Sequence, residues 1–150
     1  MVDNPAGSQE GNLPEPSISA YLTVDGAEEA VAYYEKVFGM TCTFRMPAED
    51  GKRLMHATLR RGNSVLMMSD IFPEFSPHPA PDKEAGSPVA ISLLLDSPED
   101  VDKMYDLALE EGGLSSWPPE NMFWGDRFCQ LYDPFGHRWM LVARLPADRP

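Results

Sequence analysis

The stretch FWGDRFCQLYDPFGHRWML, residues 123–141, indicates the fold of this chain more clearly than any other. Its centre, DPFGH at 133–137, suits a tight turn, because proline fixes φ and glycine adopts a positive φ without steric cost. Before the turn, alternate residues form two sets, with Cys129 and Leu131 in one and Phe128, Gln130 and Tyr132 in the other; after it, Trp139 and Leu141 share one face and Arg138 and Met140 the other. This is the period-2 pattern of a half-buried strand. The stretch therefore predicts a β-hairpin, a motif that many unrelated proteins contain.

Strand and helix patterns occur in the same order in both halves of the chain. The first half predicts a strand at 17–24, a helix at 27–38 and strands at 41–46, 54–60 and 64–69. The second half predicts a strand at 89–95, a helix from the N-cap Ser97 to Gly112-Gly113, and strands at 114–117, 127–132 and 138–142. A strand, a helix and three strands thus occur twice, which predicts two similar βαβββ modules.

Two anchors fix the register of this internal repeat. VDGAEEAVAYY at 24–34 superposes on LDSPEDVDKMY at 95–105, and RRGNSVLMM at 60–68 superposes on the stretch around FGHRWMLV at 135–142. Each module is expected to form a curved sheet with its helix on one face. The predicted fold class is α+β, with two βαβββ modules forming paired curved sheets around a cleft.

Length and composition predict the domain organisation. A chain of 150 residues that is 43% hydrophobic can bury one sizeable core. We expect a single domain at 17–146, made of module one at about 17–70, a Pro-rich connector at 71–88 and module two at about 89–143. Residues 1–16 predict a disordered N-terminal tail, and residues 147–150 a short C-terminal tail.

Charge and hydropathy exclude several classes of function. The net charge of −12 argues against nucleic-acid binding, which needs a basic surface, and mildly favours a cationic ligand. No apolar run approaches the roughly 20 residues that span a bilayer, and the N-terminus lacks a secretory signal, so we expect a cytoplasmic protein without a membrane partner. Cys42 and Cys129 lie in predicted strands and are expected to be small buried side chains rather than a disulfide.

Three stretches resemble the vicinal oxygen chelate superfamily and, within it, the PhnB-like branch of glyoxalase and bleomycin-resistance proteins. They are YLTVDGAEEAVAYYEKVFG at 21–39, LMHATLRRGNSVLMMSD at 54–70 and PPENMFWGDRFCQLYDPFGHRWML at 118–141. The resemblance covers about residues 17–145 and implies paired βαβββ modules and a homodimer. Some relatives carry a methyltransferase name, but no Gly-rich loop for S-adenosylmethionine follows the first strand here.

The resemblance also implies four positions for a divalent metal, which the superfamily holds with His, Gln or Glu side chains. These positions fall on Ser19, Leu66, Ala90 and Met140. The internal repeat pairs them as Ser19 with Ala90 and Leu66 with Met140. Alanine and leucine have no donor atom, methionine offers only a soft thioether, and a lone serine is a poor ligand. We therefore expect no metal and no other cofactor.

Strand parity predicts the residues that line the cleft, since alternate residues of a strand share a face. With Ser19 facing the cleft, Leu66 faces it as well. The predicted ligand-binding residues are Tyr21, Thr58, Met68, Ser92, Trp124, Arg127, Phe128, Gln130 and Met140. Aromatic and thioether groups with a few polar ones suit a small, partly apolar ligand. The alternative is that the aromatic and methionine side chains form core.

Individual polar residues leave two interpretations open. His56 is the only histidine predicted to face the cleft, so it is the candidate acid or base, but a structural hydrogen bond explains it equally well. His137 is expected to fix its turn, and His78 to be exposed in the connector. Arg127 either pairs with Asp126 or binds an anionic group.

Three functions follow from these observations. The favoured one is a metal-independent protein that binds a small, partly apolar or cationic ligand in the cleft between the modules. The second is an enzyme of glyoxalase, lyase, isomerase or dioxygenase type, with or without a metal. The third is a protein whose dimer or partner contacts matter more than a pocket.

Overall fold

The computed structural model describes residues 14–147 of the chain. The strands are β1 (Ala20–Val24), β2 (Thr41–Pro47), β3 (Leu54–Arg61), β4 (Ser64–Asp70), β5 (Ala90–Leu94), β6 (Leu114–Asn121), β7 (Asp126–Tyr132) and β8 (Arg138–Arg144). The helices are α1 (Ala27–Phe38), between β1 and β2, and α2 (Pro98–Glu110), between β5 and β6. The tails predicted at 1–16 and 147–150 lie largely outside the described residues.

The order of elements confirms the predicted α+β fold with two βαβββ modules. The chain divides into two compact units, Met1–Ala80 and Pro81–Pro150. Each unit contains one four-stranded sheet, with strand order β1-β4-β3-β2 in the first and β5-β8-β7-β6 in the second. In both sheets the first strand pairs in parallel with the last, and the other pairs are antiparallel. The two units therefore share one topology.

Local sequence signals mark the start of α2 and the end of α1, whereas α2 ends at Glu110, before the predicted Gly112-Gly113. Ser97 accepts a hydrogen bond from the Asp100 amide at 3.2 Å and caps α2, whose first residue is Pro98. Gly39 closes α1 in the left-handed conformation, with φ of 65°. Gly26, at the start of α1, offers no side-chain cap. A buried carboxylate, Asp70 at the end of β4, accepts hydrogen bonds from the amides of Gly26 and Ala27 instead.

One face of each sheet packs beneath its helix and forms the core. Under α1 the buried sheet residues are Leu22, Val24, Ala57, Leu59, Leu66 and Met68. Under α2 they are Cys129, Leu131, Trp139, Leu141 and Ala143. Burial raises the pKa of the Cys129 thiol to about 12, so it stays protonated, and both cysteines are free, with Cys42 only half-buried.

The face predicted for Leu66 and Met68 is wrong. Both are buried and pair with Ala20 and Leu22, which places them on the face of β4 under α1. Met67 pairs with Tyr21 and takes the position equivalent to Met140. The prediction aligned Gly62 with Gly136. The β3–β4 turn contains two residues and the β7–β8 turn contains five, so the two glycines are not equivalent positions. The position equivalent to Met140 therefore falls one residue after Leu66, on Met67.

Strand β6 is longer than predicted, and the connector contains no regular secondary structure. The strand continues through Pro118 and Pro119 to Asn121, because it is an edge strand with two register shifts and needs no amide hydrogen from either proline. Residues 71–88 contain no helix or strand.

Neither helix of the described part is long and apolar enough to cross a membrane.

Candidate functional site

Three of the predicted site residues meet on the face of the first sheet that α1 does not cover. Tyr21 on β1 and Thr58 on β3 both pair with Met67 of the intervening strand, so they share that face. The Tyr21 hydroxyl lies 2.9 Å from His56 Nδ1, and His56 Nε2 lies 2.8 Å from Thr58 Oγ1. The three side chains therefore form one hydrogen-bonded chain.

The position of His56 disfavours the protonated imidazole. Burial lowers the pKa of His56, since a desolvated ring disfavours its charged form. A neutral imidazole has one donor and one acceptor nitrogen. If Tyr21 donates to Nδ1, Nε2 donates to Thr58, and the Thr58 hydroxyl proton is free for a ligand. The other tautomer frees the Tyr21 proton instead.

Aromatic rings surround the polar chain. The centre of the Tyr21 ring lies 5.5 Å from the centre of the His56 ring. The ring of Phe44, on the neighbouring strand β2, lies 5.9 Å from the His56 ring centre. Tyr21 is nevertheless 51% exposed, which leaves much of its ring available to a ligand. Phe44 was absent from the predicted site, although its pairing with Thr58 places it on the same face.

A cavity of about 290 Å³ opens beside Tyr21 at the end of the first sheet. Its lining residues are Tyr21, Thr23, Met55, Ser69, Asp70, Phe72, Phe75, Ser76 and His78. Two of its rings, Phe72 and Phe75, come from the start of the connector and lie 5.9 Å apart. The connector thus supplies an aromatic wall, which sequence reasoning missed although the two rings stand out in IFPEF at 71–75.

Arg53 fixes this part of the connector. Its guanidinium carbon lies 4.2 Å above the Phe72 ring centre, and its Nη1 donates to Glu74 at 2.8 Å and to the Ile71 carbonyl at 3.1 Å. Asp50 accepts from its Nε at 2.6 Å. Hydrogen bonds from the Arg53 and Lys52 amides and from the Arg53 side chain lower the pKa of Asp50 to about 2. One arginine therefore holds the cavity wall against the β2–β3 turn.

The second sheet brings together most of the remaining predicted residues. Met140 on β8 pairs with Ser92 on one side and with Gln130 on the other, so all three share the face away from α2. Phe128 lies two residues before Gln130 on that face. The Trp124 ring meets Phe128 edge to face at 6.1 Å and is 49% exposed. These positions agree with the predicted parity. Arg138, on the same face, was not predicted.

Arg127 lies on the opposite face of the second sheet. Its guanidinium pairs with Asp102 of α2 at 2.7 Å and donates to Asn121 at 2.8 Å. The bond to Asp102 raises the pKa of Arg127. Asp126 pairs instead with Arg144 at 2.8 Å. The predicted pairing of Arg127 with Asp126 is wrong, because adjacent residues of a strand point to opposite faces.

The donors at the four implied metal positions do not suit a divalent ion. With Met67 in place of Leu66, they are one hydroxyl, two thioethers and the methyl group of Ala90. Within residues 14–147, no group of three or more His, Cys, Asp or Glu side chains is placed to hold a metal. Hard and borderline divalent ions need imidazole, carboxylate or thiolate ligands, and these residues do not fit one.

Fold and sequence together define a glyoxalase-like protein. The model of the Glyoxalase/Bleomycin resistance protein/Dioxygenase superfamily matches residues 17–141, so the chain belongs to this superfamily. This membership confirms the resemblance stated above.

Individual relatives agree with this assignment. An uncharacterized protein of Mycobacterium tuberculosis is 37% identical over 129 residues, covering 85% of this chain and 74% of that protein. A solved structure from Pseudomonas aeruginosa is 28% identical, with a TM-score of 0.73, and covers 88% of this chain and 100% of the other. The PhnB protein of Bacillus cereus shares the fold at 18% identity, with a TM-score of 0.69 over 85% of this chain and 99% of its own.

Proposed function

We propose that this protein binds a small, partly apolar or cationic ligand at the open face of its first sheet, without a divalent metal. The observation that carries the proposal is the hydrogen-bonded chain of Tyr21, His56 and Thr58, whose tyrosine also lines the aromatic cavity. Tyr21 links the polar chain to the cavity, so it can orient a ligand by a hydrogen bond while the apolar side chains of the lining supply affinity.

The exposed rings around the cavity support a ligand rather than a structural role. Phe75 is 74% exposed and Tyr21 is 51% exposed, although burying such rings is strongly favourable. The volume of about 290 Å³ suits a small ligand, since pockets for drug-sized molecules begin near 300 Å³.

The charge of the protein adds a preference for cations. The net charge of −12 attracts positive ligands at long range, and aromatic faces bind ammonium groups by cation–π contact. Asp70 lines the cavity, but its two oxygens already accept three backbone amides. The rings and the polar chain, rather than a carboxylate partner, therefore define the site.

A thermal-shift screen of small aromatic and cationic compounds, run in EDTA, tests the proposal. We expect some compounds to raise the melting temperature of the wild type and to lose that effect in Phe75→Ala. Phe123→Ala is the matched control, because Phe123 is 96% exposed and lies in the second unit. If no compound shifts the melting temperature, or if the shifts persist in Phe75→Ala, the proposed site is wrong.

The neutral imidazole supports a second candidate, an enzyme of lyase, isomerase or dioxygenase type. His56 hydrogen-bonded to Tyr21 is a suitable general base, since its lowered pKa keeps it unprotonated at neutral pH. Assays on substrates of these reaction types, with His56→Ala as the comparison, test it. Turnover retained in His56→Ala would remove that residue's role.

We also propose a homodimer, supported by membership of a superfamily in which dimers are common. Light scattering on the eluting peak of a gel-filtration column measures the mass directly. A mass near twice 16.7 kDa is expected, and a monomer at every concentration tested would contradict it.

A further inference from the structure

We infer that the open face of the second sheet carries a site for a small organic anion, with Arg138 as its cation. Arg138 begins β8 and pairs with Ala90 on one side and Tyr132 on the other. It precedes Trp139, which is fully buried under α2, so the Arg138 side chain lies on the face away from that helix. This is the face of Ser92, Gln130 and Met140.

Arg138 differs from the other arginines between residues 14 and 147 because its guanidinium has no partner. The others all donate side-chain hydrogen bonds, and they are Arg45, Arg53, Arg60, Arg61, Arg127 and Arg144. The Nε atom of Arg138 is buried and has no acceptor within this part of the chain. Arg60 also has a buried, unsatisfied Nε, but its Nη2 pairs with Glu15 at 2.9 Å.

A buried guanidinium nitrogen without an acceptor is unfavourable, because it loses water and gains no hydrogen bond. In a chain with 24 acidic residues, a carboxylate partner for Arg138 would be easy to supply. The carboxylate of the adjoining turn, Asp133, is already committed to the amides of Phe135 and His137 and to the Trp139 indole. The two Nη nitrogens of Arg138 also have no acceptor within the described residues and are not buried as Nε is, so an acceptor brought by a ligand can pair with them instead.

The neighbours of Arg138 indicate the chemical class of that ligand. Ser92 and Gln130 flank Met140, the next residue along β8 on this face, and make no side-chain hydrogen bond within the described residues. They offer a hydroxyl and an amide beside the guanidinium. Met140 and Phe128 supply apolar surface further along. A carboxylate on a small apolar body fits this order, since guanidinium binds carboxylates through two parallel hydrogen bonds.

The anion site uses residues other than those named in the proposed function. All of its residues belong to the second unit, whereas Tyr21, His56, Thr58 and Phe75 belong to the first. Arg138→Gln therefore leaves every residue named in the proposed function unchanged.

Titration of the full chain with benzoate, followed by amide NMR shifts and calorimetry, tests the inference. We expect benzoate to shift the signals of Ser92 and the Gln130 side-chain amide, and its affinity to fall at least about tenfold in Arg138→Gln. Lys103→Gln removes the same charge from an exposed position of α2 and should leave the affinity unchanged. Inorganic phosphate tests whether the site binds any anion. Benzylamine tests whether it binds the aromatic ring without a carboxylate.

Four results would overturn the inference. They are equal benzoate affinity in wild type and Arg138→Gln, no benzoate binding at all, a tenfold loss in Lys103→Gln, and benzylamine binding as tightly as benzoate. Arg138→Met gives a second measurement that does not depend on a ligand. Because it removes an unpartnered charge, we expect its melting temperature to equal or exceed that of the wild type, and a large fall would show that Arg138 has a structural partner.

Discussion

Each module contains a buried carboxylate that holds several backbone amides. Asp70 accepts the amides of Gly26 and Ala27 at 2.9 Å each and the Leu54 amide at 2.7 Å. It therefore joins the start of α1 to the start of β3. Asp133 has a similar role in the β7–β8 turn, where it accepts hydrogen bonds from the amides of Phe135 and His137 and from the Trp139 indole N–H. Hydrogen bonds to a charged acceptor are about twice as strong as neutral ones, so each carboxylate matters for stability.

Replacing Asp70 by alanine should destabilise the protein by about 3 kcal/mol, because three backbone amides lose their acceptor and α1 loses a negative charge at its N-terminus. Urea unfolding measures the change. Asp25→Ala, one residue before Gly26 and exposed, is the matched control and should change stability by less than about 0.5 kcal/mol. Equal effects of the two substitutions would contradict the role assigned to Asp70.

His56 predicts a definite pH dependence of stability. Burial lowers the pKa of His56 in the folded state below the ordinary histidine value. At pH values between the folded and the unfolded pKa, the unfolded chain therefore binds more protons than the folded one. The stability that neutral His56 contributes is present above about pH 6.5 and is lost as the pH falls below it. The urea midpoint of the wild type should therefore fall more between pH 7.5 and pH 5.5 than that of His56→Gln. His78→Gln, at an exposed position, should behave as the wild type, and identical slopes in all three would contradict the account.

At the scale of elements, the DPFGH turn depends on the strand that follows it. Trp139 is fully buried under α2, and its Nε1 donates to Asp133 at 2.9 Å. Gly136 has a φ of 91° and its Cα faces Pro81, so a Cβ there would lie 3.1 Å from the proline ring. The turn is thus held by a carboxylate inside and by the connector outside.

Trp139→Phe should destabilise the protein by about 2 kcal/mol, because the indole hydrogen bond disappears, Asp133 keeps an unpaired oxygen, and the smaller ring leaves a void. Thermal or urea unfolding gives the value. Trp117→Phe makes the same chemical change on an exposed edge strand, where Trp117 donates only to Glu120, and should have little effect. A Trp139→Phe variant as stable as the wild type would show that the indole does not hold the turn.

The elements themselves were predictable from sequence, since their signals are local. Helix α1 was expected at 27–38 and is found at Ala27–Phe38, and Ser97 caps α2 as expected. The face of β4 was not predictable by matching glycines, because that match assumed turns of equal length. Register depends on pairing with β1, a long-range contact that a hairpin pattern does not contain.

At the scale of the whole molecule, the sequence predicted the fold far better than the site. The repeated βαβββ order was predicted from hydrophobic periodicity, and the structure contains every predicted strand and helix in that order. The site depends on which side chains meet across strands. Tyr21, His56 and Thr58 were each predicted, but their hydrogen-bonded order required the register of three strands. The cavity wall from Phe72 and Phe75, in a segment without periodicity, and the unpartnered Arg138 gave no periodic signal at all.

The claim that most separates this protein from metal-dependent glyoxalases is ligand binding without a divalent ion. It rests on the donor atoms at the implied metal positions, where Ser19, Met67, Ala90 and Met140 offer no imidazole or carboxylate. We therefore expect this set not to compete with water and buffer for Zn, Ni, Mn or Fe(II).

Elemental analysis of the purified chain, after incubation with each of these ions and desalting, tests that claim most directly. We expect far less than one bound ion per chain, with no difference between the wild type and His56→Ala. Retention of about one ion per chain, lost in His56→Ala, would contradict it and would make a metal-dependent enzyme the leading interpretation.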